Sequence, residues 1–74
     1  MATYKLACVI EKDEDGYYGY CPELKSCHVQ GDTYEEVMAN LRDVIRLLVE
    51  DKIAGNEPVN STELINLTSI EITV

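Results

Sequence analysis

The stretch PELKSCHVQGDTYEEV, residues 22–37, decides the fold, because it reads either as reactive chemistry or as a strand running into a helix. Cys27 and His28 are adjacent, so on an extended strand they point to opposite faces and do not readily chelate one metal. Cys21 lies farther from Cys27 than the two to four residues usual within a structural zinc pair. The same opposition separates the thiol from the imidazole that a nucleophilic pair would need within hydrogen-bond reach. Geometry accounts for the stretch better. Pro22 cannot donate to a ladder and ends one strand. PELKS is a short connection, and residues 27–30 form a brief strand with Cys27 and Val29 facing inward and Gly31 ending it. Thr33 then stands three positions before Glu36, the spacing of a capping box, with Glu35 and Glu36 in the first turn where the helix dipole favours negative charge.

Downstream, Tyr34, Val37, Met38, Leu41, Val44, Ile45 and Leu48 recur at intervals of three and four, the apolar stripe of an amphipathic helix. Leu47, Val49 and Ile53 widen the stripe towards its end, which suggests burial on a second side, against another subunit. Gly55 is the expected stop. Residues 56–66 are polar and read as a linking stretch. LTSIEITV, residues 67–74, alternates Thr68, Ile70, Ile72 and Val74 against Leu67, Ser69, Glu71 and Thr73, and is expected to form a final strand.

Upstream, residues 3–11 set Tyr4, Leu6, Cys8 and Ile10 on one face, with the other face less polar than an exposed one. A strand interior to a sheet is expected there. Residues 12–16, KDEDG, end in the Asp-Gly of a tight turn. Residues 17–21, YYGYC, form the second strand, antiparallel to the first, with Gly19 marking a bulge or a close backbone approach. The element order is β-β-β-α-β: an α+β chain, one domain over residues 1–74, with an antiparallel sheet and one covering helix.

Composition narrows the function. Fourteen acidic and six basic residues give a net charge of −8, which argues against direct contact with nucleic acid. An acidic surface favours solubility and can steer a basic partner, but acidity alone does not identify one. The acids at Glu11, Asp13, Glu14 and Asp15 lack the spacing of a calcium loop and read as a solvated hairpin tip. Glu11 and Glu71 are candidates for a magnesium-dependent nuclease by residue type alone. No phosphate loop or nucleophile elbow is present, and the sequence points to no enzyme, cofactor or metal. Tyr17, Tyr18 and Tyr20 lack the surrounding bases of a nucleic-acid stacking platform and suit helix packing or a protein interface. Three cysteines are an odd number for a disulfide framework. The N-terminus has no basic region followed by a longer apolar stretch, and no apolar run reaches about 20 residues. A cytoplasmic protein with no membrane contact is the expectation.

The string IEKDEDGYYGYCPEL, followed by CHVQGDTYEEV, resembles the HicB-like antitoxin family. Asp15, Gly16, Tyr17, Pro22, Glu23, Leu24, Cys27, Gly31, Asp32, Thr33 and Glu36 carry the resemblance, which spans about residues 4–50, and residues 67–74 fit the family's closing strand. Lys25-Ser26 and His28 depart from the pattern and affect loop shape. The resemblance implies a partly degraded ribonuclease-H-like fold without the nuclease's acids. It also implies a small basic, HicA-like, mRNA-cleaving toxin as partner, covered by this chain at its active site, and a homodimer or higher homo-oligomer. Many members add a C-terminal ribbon-helix-helix or helix-turn-helix module for DNA; residues 1–74 read as a member without one, and no DNA binding is expected of them. The exposed sheet edges and the tip at Asp13, Glu14 and Asp15 are the candidate partner-binding surface. The alternative is a solitary self-associating structural or ligand-binding domain with no toxin.

Overall fold

The computed structural model describes residues 3–65 and 67–74. Strand β1 runs Val9–Asp13, β2 Gly16–Tyr20 and β3 His28–Gly31, and helix α1 runs Tyr34–Ala54. The three strands form one antiparallel sheet in the order β1-β2-β3, with α1 packed against β2 and β3. The α+β class and the β-β-β-α order match the sequence reading.

The β1–β2 connection is shorter than expected, because the strands continue to Asp13 and resume at Gly16. The Asp13 carboxylate accepts a bond from the Asp15 backbone N–H at 2.8 Å, closing the turn locally. Gly16 holds φ +134°, which an L side chain rarely adopts, and its Cβ position lies 3.1 Å from the Gly31 carbonyl. From there the register runs without a bulge: Ile10 faces Gly19 and Glu11 faces Tyr18, while Tyr18 faces Gln30 and Gly19 faces Val29. Gly19 therefore marks a close approach rather than an inserted residue.

The connection from β2 to β3 does more than join them. Cys21 N–H bonds the Cys27 carbonyl at 3.2 Å, Leu24 N–H the Cys21 carbonyl at 3.1 Å, and Cys27 N–H the Leu24 carbonyl at 3.1 Å. These bonds turn Cys21, Leu24 and Cys27 inward, and with Val37 and Leu41 of α1 they are the buried core. Pro22, Glu23, Lys25 and Ser26 stay exposed.

Thr33 adopts extended backbone (φ −137°, ψ 160°) as the N-cap, and its hydroxyl accepts from Glu36 N–H at 3.1 Å. The return bond of the box is displaced by one residue, because the Glu36 carboxylate takes the N–H of Asp32 at 3.3 Å. At the other end the helix stops at Gly55, as expected. The left-handed residue there is Asn56 (φ 58°), not the glycine. Asn56 N–H bonds the Ile53 carbonyl and Glu57 N–H the Lys52 carbonyl, at 3.1 and 2.8 Å, which together satisfy the last turn.

Three expectations differ at the chain ends. Residues 3–8 carry no strand, although Lys5 and Ala7 are tied to Ser61 and Thr62 by three hydrogen bonds of 2.9–3.4 Å. β1 is an edge of the three-stranded sheet and not interior. Residues 67–74 form no strand and are exposed throughout, because among the described residues no backbone–backbone bond joins them to a neighbouring segment. An alternating sequence supplies a face; a strand also needs a paired edge.

A Cβ at Gly19 would sit 2.9 Å from both Leu41 Cδ1 and Val37 Cγ1, two side chains of the buried core that would have to shift together. Gly19→Ala is expected to cost about 1–3 kcal/mol by urea unfolding. An unchanged midpoint would contradict the packing described.

Candidate partner-binding site

The cysteines flank the strands, Cys8 before β1, Cys21 after β2 and Cys27 before β3, and they separate from the histidine, which opens β3. Cys21 and Cys27 are buried in the core, Cys8 is half-buried beside them, and His28 is exposed on the opposite face. Burial first, and then the neighbouring Cys21, push the Cys8 thiol up to about 11, and burial also raises Cys27. Such thiols stay protonated at neutral pH and are poor nucleophiles. Among the described residues no group of three His, Cys, Asp or Glu side chains is placed to hold a metal ion.

Helix α1 covers one face of the sheet, the face reached by Ile10, Tyr17, Gly19, Val29 and Gly31. By strand alternation the other face carries Val9, Glu11 and Asp13 from β1, Tyr18 and Tyr20 from β2, and His28 and Gln30 from β3. No helix of the described chain covers it. Tyr20 and His28 stack there with ring centroids 5.9 Å apart and planes at 25°. The charge of Glu11, directly across from Tyr18, is the first cause raising the Tyr18 phenol above its ordinary value, with burial next and Asp13 after it. The face is therefore aromatic in the middle and negatively charged along β1.

This face runs into the hairpin tip. Asp13, Glu14 and Asp15 are exposed there, where the sequence reading put the partner surface. A hollow of about 270 Å³ opens between Asp13, Asp15, Tyr17, Tyr18, Gln30 and Asp32, which brings the tip and the β3–α1 junction into one acidic concavity. The nearby cation Lys12 lies over the Tyr17 ring at 5.4 Å. Sequence reasoning identified the tip and gave the tyrosines a packing or interface role, but did not bring Glu11, Tyr18, Tyr20 and His28 together as one surface. The signal was the shared parity of Tyr18 and Tyr20, readable only once Gly19 is known to face the helix.

The sequence profile described as a HicB-like antitoxin of bacterial toxin-antitoxin systems matches residues 6–71. The chain belongs to the HicB-like antitoxin family. A UPF0150 protein of Synechocystis is 44% identical over 63 residues, covering 84% of this chain and 80% of that protein. A UPF0150 protein of Archaeoglobus fulgidus is 39% identical over 69 residues, covering 92% and 94% respectively. No solved structure matches. Membership supports an antitoxin role.

In this HicB-like chain the motif residues divide by place. Leu24 and Cys27 fill the core, and Gly16 makes the turn. Gly31 leaves room for Glu36, whose side chain a Cβ would meet at 3.1 Å. Asp32, Thr33 and Glu36 set the start of α1, Tyr17 packs on the core, and Pro22 and Asp15 are exposed.

Thr33→Ala removes the acceptor for Glu36 N–H and is expected to destabilise the fold by about 1 kcal/mol in thermal unfolding. Cys8 gives a pH-dependent outcome. The folded state holds this proton up to about 11 while an unfolded thiol releases it near 9.0. The unfolded state thus binds fewer protons in that window, and stability falls as pH rises from 9 to 11. Alkylation of Cys8 by iodoacetamide at pH 8 is expected to run roughly tenfold slower than that of a free thiol. A rate equal to the free thiol's would contradict the assigned environment.

Proposed function

We propose that this protein is an antitoxin that binds a small basic, mRNA-cleaving, HicA-like toxin through the uncovered sheet face and hairpin tip, and so occludes the toxin's active site. The observation that supports the reading most is the juxtaposition of Glu11 and Asp13 with Tyr18 and Tyr20 on the face α1 leaves open. Carboxylates attract Lys and Arg, and adjacent tyrosine faces take a guanidinium by stacking. A toxin that grips an RNA backbone must carry such cations, and the net charge of −8 would steer it in. This role needs no catalytic group, cofactor, nucleic-acid contact or membrane, and suits a single domain in the cytoplasm.

The same reading completes the fold as ribonuclease-H-like, with residues 67–74 as a trailing strand beside β1. Two contacts support that placement. Residues 5–7 bond residues 61–62, and Val9, Ile10 and Glu11 share a hollow with Leu67, Thr68 and Ser69. Both segments advance together, so a trailing strand there would run parallel to β1 and make it interior.

Co-expression with the product of the neighbouring gene, where the proposal requires a short basic protein, tests the function. The parent chain is expected to restore growth and to co-purify with the toxin. Combined Asp13→Lys, Glu14→Lys and Asp15→Lys, or Glu11→Lys with Tyr18→Ala, is expected to abolish both while leaving the circular dichroism intact. Unchanged rescue by both variants would overturn the proposed surface.

A further inference from the structure

The three cysteines gather at one end of the sheet, on the helix side, where the proposed binding face does not use them. The β1–β2 register pairs Val9 with Tyr20, so one step further sets Cys8 across from Cys21. Both share the parity of Ile10 and Gly19 and turn towards α1. Cys21 N–H bonds the Cys27 carbonyl, so it points to the β3 side and away from Cys8. Cys8 and Cys21 therefore face each other as a non-hydrogen-bonded pair. In such a pair opposed Cα atoms come to ~4.5 Å and the side chains lie closest. A disulfide spans that separation. The two thiols are within hydrogen-bond reach of each other.

We infer that Cys8 and Cys21 are a redox modification site: exposed to a small-molecule disulfide, they close into a cross-strand bond that fastens the start of β1 to the end of β2. Access is through Cys8. It is half-buried and lines a hollow of about 400 Å³ with Leu6, Thr62 and Leu64, whereas Cys21 and Cys27 are buried. The Cys8 thiolate attacks one sulfur of the small disulfide and releases the other as a thiolate, leaving a mixed disulfide on Cys8. Cys21 gives up its proton to water, attacks Cys8 Sγ and expels the second small thiolate. Two protein thiols are oxidised, and one small disulfide is reduced to two thiols. Burial holds the Cys8 proton up to about 11, so the first step is slow at neutral pH and quickens as pH rises.

Cys27 is the competing partner for Cys21 and the nearer one in sequence. Those two residues are joined through the backbone, a position that sets opposed side chains farther apart, and Cys27 is fully buried. The Cys8–Cys21 bond lies on the helix side of the sheet and leaves Glu11, Tyr18 and Tyr20 unaltered on the open face. The inference therefore stands whether or not the chain binds a toxin.

Oxidised glutathione at pH 9, applied to the full native chain, tests it. Trypsin cuts after Lys5, Lys12, Lys25 and Arg42, which puts each cysteine on its own peptide. The native chain is expected to lose two hydrogens and to link peptide 6–12 to peptide 13–25, in roughly tenfold excess over linkage of 13–25 to 26–42. In urea that preference is expected to disappear, because an unfolded chain closes the shorter loop from Cys21 to Cys27 at least as readily. The oxidised chain is expected to unfold at a higher urea concentration than the reduced one, and Cys27→Ser to behave as the parent does. Predominant Cys21–Cys27 linkage in the native chain, no internal linkage, a preference that urea leaves unchanged, or a lowered urea midpoint on closure would overturn it.

Discussion

The structure depends on the close approach of β2 to α1 at Gly19. With no side chain there, Val37 and Leu41 come down onto the sheet where a Cβ would meet them at 2.9 Å. That contact fixes which face of the sheet the helix covers. It therefore fixes the parity of every strand residue: Ile10, Tyr17 and Val29 towards the helix, and Glu11, Tyr18, Tyr20 and His28 away from it. The acidic, aromatic open face is a consequence of this choice. A chain this small has few buried side chains to enforce orientation, so one glycine carries much of the specification.

Local chemistry was legible because it is written in contiguous residues. Asp15-Gly16, Thr33 with Glu36, and the three-and-four spacing of α1 each needed no distant partner, and all appear where expected. The Cys27-His28 pair separates as expected, one buried and one exposed, although Cys27 is held by the bonds of the β2–β3 connection just before β3. Details that depend on three-dimensional competition were less accessible. The Glu36 carboxylate bonds Asp32 rather than Thr33, and the left-handed residue after α1 is Asn56 rather than Gly55. Leu24 read as part of a short connection, and the bonds linking Cys21, Leu24 and Cys27 draw it into the core.

The ends show the same limit from the other side. Residues 67–74 have strand alternation in full, but alternation specifies a face and not a neighbour. β1 read as interior because both its faces are only modestly polar, and in the three-stranded sheet it lies at an edge. Both observations describe one unfilled edge. The candidate surface was half legible for a related reason: the tip is a run of acids, whereas Glu11, Tyr18 and Tyr20 converge only across paired strands.

An antitoxin role sits well on this architecture, since occlusion asks for a rigid surface of complementary charge rather than for reacting groups. The most direct measurement is an NMR titration of isotopically labelled protein with the purified product of the neighbouring gene, the proposed toxin, read at every backbone amide. The account predicts that the largest shifts cluster at Glu11, Asp13–Asp15, Tyr18, Tyr20 and His28, and weaken as salt is raised. Shifts confined to the exposed side of α1, with the open sheet face silent, would contradict it.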